Sequence, residues 1–340
     1  MNPNRNGAVL NLCLFIAFAI NVSTSTAMAQ SDSVTDNAPV NTVIARVPVG
    51  KSPSDLVISP DSSLVYVANY LGNTISVINA QTNKVQTTLP AGGTPAALAI
   101  SSDGSKLYIA NVIAAAVTVI DLANGNSTQT ITGLAPSPVA LALNPTGSQL
   151  WVSDGQAVGN IDVIDTASNT VLAPITMPKA IGSLTFTPDG LKTYVVDRAE
   201  AILVVDTTSH QVTATIPTGT LSEIVVMSPD GKTAYATRRK KSNTHVMIID
   251  TADNTVTKNI TLPGLPTPGS KTALLPNGAY LYVPLYNSGH IDLINTQSQT
   301  RVGGGFTAAP FPAIVGIAPN GKRAYVACDS NKVTVVKITE

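Results

Sequence analysis

Short apolar runs, most of them rich in Val, Ile and Thr, recur along this chain, and clusters of Pro, Asn, Asp, Ser and Gly interrupt them at close intervals. β-branched side chains lose little on a pleated surface, so runs of this length and make-up predict strands. No segment sustains a helical period, and the chain therefore reads as all-β.

A turn signature recurs seven times: SPDS at Ser59–Ser62, SSDG at Ser101–Gly104, NPTG at Asn144–Gly147, TPDG at Thr187–Gly190, SPDG at Ser228–Gly231, LPNG at Leu275–Gly278 and APNG at Ala318–Gly321. Its third residues lie 42, 43, 43, 41, 47 and 43 positions apart. Proline presets φ, the short polar side chain caps the turn, and glycine accepts positive φ, so each signature predicts a hairpin between two apolar runs. The strand after each turn carries an aromatic at one register: Tyr66, Tyr108, Trp151, Tyr194, Tyr235, Tyr282 and Tyr325. A third strand follows, ending in Asn79, Asp121, Asp165, Asp206, Asp250, Asn295 and Lys337, and then a Thr/Val-rich fourth.

Seven units of four short antiparallel strands, with a period in the low forties, predict a seven-bladed β-propeller. The last unit ends at Glu340 with three strands. Residues Thr42–Val49 resemble the other fourth strands and are expected to complete it, hiding edges that would otherwise invite aggregation. The strings SPDSSLVYVANYLGNTISVINAQTNKV and SSDGSKLYIANVIAAAVTVIDLANG resemble the YVTN-type β-propeller repeat of exported bacterial and archaeal surface proteins, and the resemblance spans residues 42–340. It implies a propeller outside the cytoplasm. Its shared residues are mainly structural, and its relatives range from cell-surface and periplasmic proteins to propellers similar to lactonases or to the haem d1 domain of nitrite reductases.

The amino terminus fits export. Arg5 precedes an apolar run from Ala8 to Val22 and a small-residue end, Ala27-Met28-Ala29, which reads as a signal peptide spanning residues 1–29. Polar residues 30–41 read as a flexible leader, and 42–340 as the propeller. The expected location is periplasmic or extracellular. Beyond the signal peptide only Cys328 remains, so the fold rests on its core and not on an internal disulfide. The chain is 44% hydrophobic and 12% charged, with zero formal net charge, so it lacks the global basic field of a nucleic-acid binder.

Repetition gives most carboxylates a structural role: Asp61, Asp103, Asp189 and Asp230 sit in turns, and Asp121, Asp165, Asp206 and Asp250 end third strands. Chemistry is sought where the repeat breaks, on the upper face, which carries the hairpins between second and third strands and the connections from fourth to next first strands. The fourth position of the second-strand motif reads Asn69, Asn111, Asp154 and Asp197, then Arg238, Leu285 and Cys328. The short polar side chains are expected to satisfy loop backbone, a role the last three give up. Blade five adds Arg238-Arg239-Lys240-Lys241 in a longer loop reaching His245; blade six adds Tyr286 and His290. These seven residues form the candidate binding site, for a small anionic ligand or a macromolecule, nucleic acid included. Asp55 and Glu223, each beside a first strand, are the candidates for the channel mouth. His210 is expected on the surface of the opposite face, and Cys328 buried.

No CxxCH, Walker loop, GxSxG or HExxH is present, His245 and His290 lack metal-ligand spacing, and no cofactor is expected. The reading is a non-catalytic binding or scaffold protein; its alternative is a lactonase-like hydrolase or a haem d1-domain-like cofactor binder.

Overall fold

A computed structural model describes residues 38–340, apart from 157, 199, 221, 267 and 268. The expected signal peptide and residues 30–37 of the leader lie outside the described residues. Among the described residues 29 strands form seven sheets, each an antiparallel blade. Blade 1 is typical: Pro53–Ile58, Leu64–Asn69, Thr74–Asn79 and Lys84–Pro90 pair in sequence order. In blade 3 the outer strand is split into Thr170–Val171 and Ile175–Thr176, with Pro174, which has no N–H to donate, in the gap.

Closure follows expectation. Val40–Pro48 pairs antiparallel with Lys332–Thr339, so the amino-terminal strand is the outer strand of blade 7. It starts two residues earlier than the sequence suggested: Val40 and Asn41, assigned above to the leader, pair with Thr339 and Ile338. Asn41 also accepts a hydrogen bond of 2.9 Å from the Tyr282 hydroxyl of blade 6, which anchors this extension.

The core is seven separate clusters, one per blade interface. The period-two alternation of the second strand produces this. Val65 and Val67 pack back against blade 7, while Tyr66 packs forward against blade 2. Every repeat aromatic faces forward in this way, and each is almost wholly buried. The seventh, Tyr325, closes the ring by packing with Leu56 and Val65 of blade 1.

The turn signatures fill the lower face. Asp61 accepts from the Ser59 hydroxyl at 2.5 Å and from Ser63 N at 3.0 Å, and Asp103 repeats this with Ser101 and Ser105. Those bonds hold Asp103 down to about 2. Adjacent turns nest: a Cβ on Gly190, whose φ is 72°, would stand 3.2 Å from the Pro145 ring of the preceding blade. The carboxylates and amides ending third strands accept from backbone N–H groups two and three residues on, as Asp165 does from Ala167 and Ser168. The next residue, where it is Thr, locks the two hairpins: Thr166, Thr207, Thr251 and Thr296 each donate at 2.6 Å to the carbonyl of the turn glycine. The lower face thus spends its polar groups internally.

Candidate functional site

Inner strands begin at the upper face with a bulge. Ser54 in blade 1 and Glu223 in blade 5 are the extra residues, because the register skips from Pro53 to Asp55 and from Ser222 to Ile224. The residue after the bulge is Asp55, Ala97, Ala140, Ser183, Ile224 and Ile314 in blades 1 to 5 and 7. In blade 6 the register of Ala273 with Tyr282, extended two residues back, gives Lys271. One inner tier of small or apolar residues is therefore broken at two places, by an acid and a base.

These two meet. Lys271 Nζ lies 2.6 Å from Asp55 Oδ2, and Asp55 is completely buried while the lysine is one-third exposed. The same carboxylate accepts from Leu56 N and, across the blade boundary, from Leu98 N, each at 2.8 Å. Lys271 is held on the other side by backbone bonds to blade 7, donating to Ala313 O and accepting from Val315 N. The pair spans blade 7 and ties the inner edges of blades 6, 7, 1 and 2 together.

Glu223 enters the mouth from blade 5. Its Oε2 accepts from Gly269 N at 2.9 Å. Burial pushes its pKa up, against the pull of that bond and of the cations Arg239 and Arg198. A third group lies over blades 6 and 7: the Tyr286 hydroxyl donates to Asp329 Oδ2 at 2.5 Å, and the Phe311 ring packs 5.1 Å from that of Tyr286. Burial raises the pKa of both Tyr286 and Asp329.

The sequence-derived candidates divide. Arg238, Arg239 and Lys240 lie in a strand and not in a loop, and only Lys241 is in the turn: the second and third strands of blade 5 run on as Thr233–Lys240 and Asn243–Asp250, and pair up to Lys240 with Asn243. Arg238 has not given up the loop-satisfying role. Its guanidinium donates to the Thr218 carbonyl, as the Asn111 amide donates to the equivalent Ala91 carbonyl, and also reaches Asn259 Oδ1 at 2.9 Å. It is a structural tie between blades 4 and 5. Arg238 faces His245 across the hairpin, and burial, then Arg238 and Lys240, lower the pKa of that imidazole. Arg239, Lys240 and Lys241 are exposed.

His290 stands apart. With Arg301 it flanks the buried Asp292: His290 Nε2 is 3.6 Å from Asp292 Oδ1, and Arg301 Nε is 2.7 Å from Oδ2. Among the described residues no hydrogen bond or ion pair joins the basic hairpin to Tyr286 or His290, so the seven candidates are three groups and not one cluster. Cys328 is fully buried, and burial pushes its thiol up to about 12. His210, expected on the surface, is half-buried, its ring 5.6 Å from Trp151. No group of three or more His, Cys, Asp or Glu suited to a metal comes together among the described residues.

Lys271, Asp329 and Phe311 escaped the sequence reading. The register of the inner strands is the signal that finds Lys271; in blade 6 it is hidden behind the Pro/Gly-rich segment 264–270. A cleft of 640 Å³ on the lower rim, lined by Asn277, Asn320, Arg323 and Glu340 among others, offers less. Its amides are already bonded, Asn277 to Glu340 and Asn320 to Lys322.

A family model described as YNCE-like beta-propeller matches residues 60–146. The chain is a seven-bladed β-propeller. Among solved structures it is similar to hydrazine synthase of Kuenenia stuttgartiensis, with a TM-score of 0.75 and 22% identity over 92% of this chain and 99% of that one. At that identity the likeness is one of fold. No curated protein matches the chain.

Proposed function

We propose that this propeller is a binding protein, working outside the cytoplasm, that takes an anionic ligand at the upper mouth of its channel. The observation that carries this is the charged break in the inner tier. Asp55 and Lys271 replace small or apolar residues at one repeat position, and only Lys271 reaches solvent. With its partner fully buried, the exposed lysine presents cationic N–H donors to the channel. Arg239 and Arg198 add positive potential around Glu223. A carboxylate or phosphate fits such donors, since charge-assisted hydrogen bonds are the strong ones. The amino-terminal apolar run supports a periplasmic or extracellular location.

One observation favours an enzyme instead. Glu223, its pKa raised by burial beside two arginines, has the character of a general acid or base. The two readings separate by experiment. Native mass spectrometry and thermal shift with citrate, succinate and inorganic phosphate are expected to show binding that Lys271→Ala and Arg239→Ala weaken and salt screens. If both variants bind these anions as the parent does, the mouth is not the site. Turnover of any ester or lactone, lost in Glu223→Gln, would replace the binding reading with the catalytic one.

A further inference from the structure

The upper face is divided in a way the mouth site does not use. Over blades 1, 2 and 3 the tips of the second-to-third hairpins hold Leu71, Ile113 and Val158, which are 67%, 77% and 61% exposed. Their turns, Tyr70-Leu71-Gly72-Asn73, Val112-Ile113-Ala114-Ala115 and residues 155–159, contain no charge. Phe311, in the connection entering blade 7, adds a further apolar side chain to this sector, at 48% exposed. In blade 2 even the left-handed turn position is apolar: Ala115 has φ of 47°, where blades 1 and 7 use Asn73 and Asn331.

The opposite sector is basic. Around blades 4 and 5 the exposed cations of this face are Lys179, Arg198, Arg239, Lys240 and Lys241, against one exposed carboxylate, Glu200, among the described residues, while Lys51 is an exposed cation beside blade 1. The hairpin of blade 5, from Thr233 to Asp250, is longer than that of blade 1, from Leu64 to Asn79, by one residue on each arm, which at the rise of a strand lifts its tip at Lys241 by roughly 3 Å.

We propose that this face docks on an anionic lipid surface, with Leu71, Ile113 and Val158 entering the interfacial layer and the basic sector meeting the headgroups. The apolar side chains are single, convex and carried on three different blades. A protein partner would need a separate matching pocket for each, whereas a bilayer interface admits each side chain independently. Exposed cations on the same face supply the complementary charge, and lysine stems reach headgroups while the backbone stays above them. The proposal shares Arg198 and Arg239 with the mouth site, so its test rests on the three apolar tips and on Lys240 and Lys241.

The test is co-sedimentation of residues 37–340, which form one compact unit, with phosphatidylcholine vesicles prepared with and without phosphatidylglycerol. Binding is expected only with phosphatidylglycerol, to weaken with salt, and to fall roughly tenfold or more in the variant Leu71→Asp/Ile113→Asp/Val158→Asp. Thermal unfolding of that variant checks its fold; the single substitutions, at exposed tips, replace it if it fails to fold. Lys240→Glu/Lys241→Glu is expected to lower binding as well. No binding to anionic vesicles overturns the proposal, and so does binding that the apolar variants leave intact. A concentration-dependent dimer that the apolar variants abolish, without vesicle binding, would assign the tips to a second copy of the chain and overturn it too.

Discussion

At the scale of single residues, the Asp55–Lys271 pair is where stability and function meet. Asp55 is wholly buried and serves two backbone donors besides the lysine. Asp55→Ala leaves Leu98 N and Lys271 without their acceptor and should cost about 2–4 kcal/mol, the lower part of that range reflecting the partial exposure of the lysine. Urea unfolding measures it. Glu223 carries the opposite sign. Its raised pKa means that the folded state binds the proton more tightly than the unfolded chain. Its contribution to stability therefore declines as pH rises from the ordinary carboxylate value through the raised one. Glu223→Gln should raise the melting temperature at pH 7 and leave it nearly unchanged at pH 4; the reverse order would mean that Arg198 and Arg239 outweigh burial. Cys328, buried with a thiol raised to about 12, should resist thiol reagents at pH 8 until the protein unfolds.

At the scale of elements, the repeat was legible because each of its parts has a local cause. Pro, Asx and Gly make a turn, an aromatic at one register fills one blade interface, and Asp or Asn ends a third strand by accepting backbone bonds. Nesting of successive turns adds a constraint that a single blade does not reveal. Gly190→Ala must adopt a left-handed φ and also press on Pro145, so it should destabilise by about 1–2 kcal/mol in urea unfolding, whereas Gly147→Ala, with open space around its Cβ, bears only the backbone term. The site was less legible. Arg238 read as a departure from the Asn/Asp pattern, yet a longer side chain reaches the same carbonyl, which residue type alone does not disclose. Lys271 matters through a partner 216 positions away, and only the common register of inner strands brings the two together. The basic run was visible as charge. Its division into a structural arginine and an exposed tip required the strands to be seen continuing to Lys240.

At the scale of the whole molecule, seven interfaces each bury their own cluster, and the ring is closed by one strand borrowed from ahead of blade 1. A chain starting at Gly50 would leave the edge of Lys332–Thr339 unpaired. It should unfold at lower temperature and scatter light on heating, unless a peptide of residues 38–49 added in trans restores it. The same arrangement has a consequence in time. Val40 leaves the ribosome well before its partner Thr339, which is made only after all of blades 1 to 6. At ordinary elongation rates the wait is about 15–60 s. During it the leading strand is a lone β-segment with no legitimate neighbour, while blades 1 to 6 emerge beside it offering outer edges of the same pattern. Fidelity of biogenesis then depends on keeping that strand idle, which makes the birth of this ring, more than its finished state, the moment at which a chaperone has something to hold.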